Sequence, residues 1–371
     1  MRSKKVLLLA MLTAAIISLS GCGRSAPEDA PVTAVADTAE TAEATAETAA
    51  ETAAGGATEQ AESALAENDT VPDEYVVPDE LKPIPDEYLT PNEHKGHVFR
   101  VDYAGQSYDE EKRYIQKRAY VYLPYGYEID GGDKRYNVLY LMHAGQGSAE
   151  SLLGGESGST ALKQVLDNMI ENGDIEPLLV VTPSFYNGQP LPEGELAAGF
   201  SDELINDLVP VVESHFRTYA ASTSEEDLKA SREHRAFGGF SMGSVTTWYV
   251  LKNYPEYFKY YLPMSGESWM FGFHGQNETD FEDSAAALHE AVSGSGIAPE
   301  DFSIYVLTGT EDVAVPYLTK QVEAMLKYSE SFIYGSSLSE GNLCYKVEKG
   351  GKHGGIYKDL YIYNALLEFW R

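Results

Sequence analysis

Cysteine is almost missing from this chain: Cys22 and Cys344 are the only two in 371 residues. With Cys22 assigned another role below, no disulfide framework remains, and the core must hold the fold alone. Basic residues are scarce too, 27 Lys and Arg against 58 Asp and Glu, for a net charge of −31. A surface of that sign excludes nucleic acid as a partner, because phosphate binding needs a basic face. Long apolar runs are lacking as well. The one candidate, Val6 to Ile17, falls short of the roughly 20 residues that a membrane span requires. Metal-ligand spacing such as His-x-x-x-His does not occur, so no metal site is expected.

What is present at the start reads as an address. Arg2, Lys4 and Lys5 precede the apolar run, and Leu19-Ser20-Gly21-Cys22 follows it. A charged start, a short apolar stretch and small residues before a break describe an export signal over residues 1–21. The Leu-Ser-Gly-Cys end resembles the bacterial lipoprotein signal. That resemblance implies a lipid on Cys22 and a protein anchored on the outer face of a membrane. Several acyl chains on one residue would hold it stably, whereas one alone is marginal.

Residues 22–91 read as a tether. About half of the excess negative charge lies there, with Arg24 and Lys82 the only basic residues. Thr38 to Ala54 is nearly all Ala, Thr and Glu, too poor in apolar bulk to form a core. Pro72-Asp-Glu, Pro78-Asp-Glu and Pro85-Asp-Glu then repeat, and prolines at that spacing favour extended chain.

Residues 92–371 alternate between two periodicities. Strands are expected at 119–123, 136–142, 177–182, 235–240, 260–264, 303–307 and 343–348. Helices are expected near 160–172, 202–216, 245–251, 315–328 and 357–370. Such alternation predicts an α/β fold, a mostly parallel sheet with helices on both faces. Reactive groups collect at the carboxyl ends of the strands in sheets of this kind. Cys344 falls within a strand-like run and is expected to be a buried, inert thiol.

Gly239-Phe240-Ser241-Met242-Gly243 lies between a strand and a helix. A sharp turn there would project the Ser241 hydroxyl clear of the sheet, and glycines on either side avoid crowding it. A serine hydroxyl needs a base, and α/β-hydrolases order the triad as Ser, acid, His. Three histidines follow Ser241. His289 is expected on a helix surface and His274 in a loop that could line the site. His353, in Lys349-Gly-Gly-Lys-His-Gly-Gly355, lies where a strand-end loop would deliver an imidazole. The acid is expected at the end of the strand before it, as Asp312 with Glu311 the alternative, since only one of two neighbours on extended chain can face the imidazole. Oxyanion donors are expected from the backbone N–H groups of Met242 and Gly145, with His143 structural. Trp269 is either a pocket wall or core packing. Chemistry of this type needs no cofactor.

Four separated segments, Tyr136 to Gly145, Gly239 to Gly243, Gly309 to Asp312 and Gly350 to His353, together resemble carbohydrate esterase family 1. That group contains feruloyl and acetylxylan esterases and lies within the α/β-hydrolase superfamily. The resemblance spans about Asn92 to Arg371. It implies a serine esterase whose substrate is a feruloyl or acetyl group esterified to xylan or another plant cell-wall polysaccharide. The same superfamily includes acyltransferases, so transfer of the acyl group to a sugar or alcohol stays open, as does a lipid-anchored carbohydrate-binding protein without catalysis. One departure is visible: His143-Ala144-Gly145 stands where the family often has His-Gly-Gly.

Overall fold

A computed structural model describes residues 81–371 apart from 109–110, 129–131 and 157. The expected signal segment, Cys22 and the tether as far as residue 80 lie outside the described residues. The elements in chain order are β1 (His97–Gln106), β2 (Tyr114–Leu123), β3 (Asn137–Met142), α1 (Ala161–Glu171), β4 (Leu178–Thr182) and α2 (Glu193–Glu203). A wide turn, Leu204–Leu208, leads into α3 (Val209–His215). Then come α4 (Glu225–Ala230), β5 (Arg235–Phe240), α5 (Met242–Asn253), β6 (Tyr260–Met264), α6 (Asp280–Gly294), β7 (Ser303–Glu311), α7 (Val315–Met325), β8 (Leu343–Lys352) and α8 (Tyr357–Leu366).

One eight-stranded sheet runs β1-β2-β4-β3-β5-β6-β7-β8. Its first two pairings, β1 with β2 and β2 with β4, are antiparallel, and every later pairing is parallel. The parallel strands are apolar on both faces because both faces are covered. Successive residues alternate sides, giving two cores. Val138, Tyr140, Phe237, Tyr261 and Val306 pack with Leu196 and Phe200 of α2, Val245 and Trp248 of α5, and Leu288 of α6. Leu139, Leu141, Ala236, Leu262 and Leu307 pack on the other side with α1 and α8. Cys344 is buried in this second core. Thr160 caps α1, its hydroxyl accepting from the Lys163 N–H at 3.2 Å.

The structure extends the sequence reading in four places. Strand β1 and helix α4 were not anticipated, and α2 begins well before the helix expected from residue 202. The packed body also begins ahead of Asn92, so residues 81–91 belong with the domain and not with the tether. The Leu81 N–H donates to Glu348 Oε2 at 2.7 Å, and Lys82 exchanges two hydrogen bonds with the Asn364 side chain. Tyr88 is buried in the short turn Asp86–Leu89, and its hydroxyl donates to Asp174 Oδ2 at 2.6 Å. A buried phenol of this size outweighs the extended preference that the preceding prolines suggest.

Candidate active site

Ser241 sits in the one-residue turn between β5 and α5, at φ 56 and ψ −114. An L-residue in the left-handed region is strained, and such strain persists only where its surroundings enforce it. They do so here by close approach. A Cβ on Gly239 would lie 2.6 Å from the Gly243 backbone, and one on Gly243 would lie 2.5 Å from Met142 O. The elbow is thereby pressed against the end of β3. The Ser241 N–H donates to Met264 O at 2.8 Å, tying the turn to β6.

His353 follows β8 and Asp312 follows β7. His353 Nε2 lies 3.0 Å from Ser241 Oγ, and Nδ1 lies 2.8 Å from Asp312 Oδ1. A carboxylate can only accept, so Nδ1 carries the proton and Nε2 is left free to accept from the serine hydroxyl. Asp312 is buried, and its Oδ1 also accepts from the Ala314 N–H at 2.8 Å. Glu311 points the other way. Its carboxylate is 58% exposed and lies 3.4 Å from Lys352 Nζ. The geometry thus brings Ser241, His353 and Asp312 together and leaves Glu311 out.

The other two downstream histidines take no part in this relay. His289 lies on α6 and stacks on Tyr328. His274 stacks on Tyr317, and its Nδ1 is 2.9 Å from Glu267 Oε1. That carboxylate, fully buried, also accepts from the Trp269 indole N–H at 2.9 Å. Glu267 therefore organises the loop after β6. Trp269 is half-buried against the first core, with Phe273 edge-on to it at 4.6 Å. Phe271 and Phe273 stay exposed nearby, and Val313 and Ile356 are exposed beside Asp312 and His353.

The loop after β3 faces the elbow from the opposite side. The first N–H groups of a helix lack intrahelical partners, and that of Met242 opens α5. A Cβ on Gly145 would come within 3.2 Å of Met242 Cγ, so the Gly145 backbone packs against the Met242 side chain. His143 is buried, with Nδ1 2.7 Å from Ala144 O and Nε2 2.8 Å from Ser184 Oγ. Burial lowers its pKa from the ordinary 6.5, which keeps it neutral. Behind it, Lys117 Nζ donates to Ser184 O at 2.6 Å and pairs with the buried Glu203 at 2.7 Å. His143 thus supports the loop, as its place ahead of Ser241 in the chain suggests.

Sequence reasoning missed Tyr186, Glu193, Glu267 and Gln321, the last of which accepts from the Ser268 N–H at 2.6 Å. None carries a local motif. Only Glu193, directly after Pro192 at the start of a helix, left a positional trace in the sequence.

A sheet in this strand order with a strained serine turn after β5 defines an α/β-hydrolase. The family model described as "Putative esterase" matches residues 116–331. Endo-1,4-beta-xylanase Y of Acetivibrio thermocellus is 39% identical over 250 residues, which is 67% of this chain and 21% of that protein. An endo-1,4-beta-xylanase/feruloyl esterase of Xylanibacter ruminicola is 34% identical over 161 residues, 41% of this chain and 20% of that protein. This chain therefore matches only about a fifth of the length of these curated relatives. Among solved structures, a mutant feruloyl esterase module from Clostridium thermocellum in complex with sinapinate superposes with a TM-score of 0.69 at 36% identity. That match covers 81% of this chain and 97% of the module. The chain belongs to the esterase family.

Proposed function

We propose that this protein is a serine carboxylic-ester hydrolase that removes feruloyl or acetyl groups from xylan. The observation that carries the reading is the relay from Ser241 Oγ through both ring nitrogens of His353 to Asp312, mounted on a strained elbow. His353 Nε2 takes the Ser241 proton as Oγ attacks the ester carbonyl. The Met242 and Gly145 N–H groups receive the developing oxyanion, each donor of this kind contributing on the order of 10²–10³ in turnover. His353 passes the proton to the departing sugar hydroxyl, leaving an acyl-Ser241 ester. Water then repeats the sequence and frees the acid. Asp312 holds the imidazole in its tautomer and stabilises its charged form. No step requires a metal or cofactor.

Two observations favour an aromatic acyl group over acetyl. Trp269, Phe271 and Phe273 give the loop after β6 an aromatic wall beyond what acetyl could fill, and the similar C. thermocellum module binds sinapinate. The test is a hydrolysis panel of aryl acetate, methyl ferulate and acetylated xylan. Methyl ferulate is expected to be cleaved with the highest kcat/KM. Ser241→Ala should lower turnover by about a million-fold while the protein stays folded, and near wild-type turnover in that variant would sink the assignment.

The lipid anchor on Cys22 is part of the same reading. Among the described residues no helix is long and apolar enough to cross a membrane. Support for the anchor is the Leu19-Ser-Gly-Cys22 sequence alone. Cys22→Ser should move the protein from the membrane fraction to the soluble one, and continued anchoring would refute it.

A further inference from the structure

The loop that carries Gly145 is gripped by two side chains outside the triad. Gln146 stands at φ 58, a left-handed conformation for a residue with a Cβ. Its N–H is met by Tyr186 Oη at 2.7 Å and by Glu193 Oε1 at 3.1 Å. The Tyr186 hydroxyl in turn donates to the same Glu193 oxygen. Glu193 Oε2 lies against Gly145, where a Cβ would come within 2.7 Å of it. As the first residue of α2, the carboxylate sits at the positive end of a helix. The next residue, Gly194, packs beneath the Trp269 ring, 3.2 Å from where its Cβ would be.

Stability alone is a poor reason for this arrangement. The clamp holds a strained peptide in place, and it sets an anion beside the point where negative charge develops in an ester hydrolase. That charge opposes the oxyanion, so what the carboxylate offers there is its geometry as an acceptor. Burial, and next the hydrogen bond to Glu193, push the Tyr186 hydroxyl up to about 12, so it stays a donor through the neutral range.

We propose that Glu193 and Tyr186 are positioning residues for the oxyanion donor. They fix the peptide on the C-terminal side of Gly145, while the Gly147 N–H holds Ala144 O at 3.1 Å. With the peptides on both sides of Gly145 held, the direction of the Gly145 N–H is set. The assignment rests on the esterase reading above. A misplacement of about 1 Å in a catalytic group costs on the order of a hundredfold, and that sets the scale of the test.

The experiment measures kcat and KM on 4-nitrophenyl acetate and methyl ferulate, and the affinity of an aryl boronic acid that mimics the tetrahedral state. Glu193→Ala should lower kcat by about 10- to 100-fold with KM within about threefold, and weaken the boronic acid by the same factor. Glu193→Gln keeps an oxygen for both donors and sheds the opposing charge, so its kcat should stay within about threefold of wild type or exceed it. Tyr186→Phe should cost about three- to tenfold, and the double variant no more than Glu193→Ala, because the two act through one another. If Glu193→Ala does not fold, Tyr186→Phe carries the test. Wild-type kcat in both variants, a Gln variant as damaged as the Ala variant, or a loss confined to KM would each overturn the assignment. A wild-type protein that cleaves no ester in the panel overturns the esterase reading and this assignment with it.

Discussion

Asp312→Asn separates the two things a triad acid does. In the structure Oδ1 of Asp312 accepts from both His353 Nδ1 and the Ala314 N–H, while Oδ2 is buried with no hydrogen-bond partner among the described residues. An asparagine can sit in two ways. With its oxygen in the Oδ1 position it keeps both bonds and the imidazole tautomer, but it loses the charge and buries an unsatisfied N–H₂ at the Oδ2 position, costing about 1–3 kcal/mol. Flipped, it sets a donor against the Ala314 N–H and forces the wrong tautomer on His353. That outcome costs about ten-thousand-fold in a comparable triad. Because Ala314 opposes the flip, turnover should fall by about 10²- to 10⁴-fold, or about 2.7–5.5 kcal/mol of barrier. Glu311→Gln removes only an exposed pair with Lys352 and should change kcat by less than about threefold. The assay is initial-rate hydrolysis of an aryl acetate, with circular dichroism to confirm that both variants fold. If Glu311→Gln proved the more damaging of the two, the reading of the β7 terminus and of the whole relay would fail.

Two further outcomes follow from residues behind the site. A chain beginning at Asn92 should lose about 2 kcal/mol or more against one beginning at Leu81, since it gives up the buried Tyr88 and the bonds to Asp174 and Asn364; equal urea midpoints for the two would show that residues 81–91 are dispensable. His143 is held below its ordinary 6.5 in the folded protein, so the unfolded chain takes up its proton first as the pH falls. Its contribution is therefore complete above 6.5 and is lost as the pH drops from there through the folded-state value. Stability should decline over that window more steeply in the wild type than in His143→Gln, and identical slopes in urea titrations would rule His143 out as the cause.

The grouping of Ser241 with His353 was legible because each stands beside a local signal. Ser241 lies in a Gly-x-Ser-x-Gly turn between elements of opposite periodicity, and His353 lies in a run of glycines just before the last helix. Alternation on extended chain said only that one of Asp312 and Glu311 could face the imidazole; β7 ends at Glu311 with that side chain turned outward, which leaves Asp312. What escaped notice lacked contrast. The extent of α6, expected only as a helix around His289, was one such feature: its face toward the core is built partly from Ser284 and Ala285, too small to make an apolar stripe. Gln-Pro-Leu-Pro ahead of α2 reads as a turn, although Pro192 is the residue just before its first helical position. The third Pro-Asp-Glu repeat matches the two before it in sequence, so the pattern gave no sign that Tyr88, just after it, is buried.

The support for the oxyanion donors was illegible for a deeper reason. A backbone N–H has no residue identity, so sequence can mark the loop by its glycines but cannot say what holds it at the right angle. That work falls to Glu193 and Tyr186, which reach Gln146 from a segment far along the chain that no spacing rule joins to it. The same holds for Glu267, whose single oxygen accepts from Trp269 and lies within hydrogen-bond reach of His274. Groups that touch the reacting atoms must be of particular types and so leave motifs. Groups that aim them need only an acceptor in the right place, which many residues can supply from many directions. A carboxylate tolerated next to an oxyanion site is conspicuous only in three dimensions, where its charge is in the wrong place for catalysis and its hydrogen bonds are in the right one.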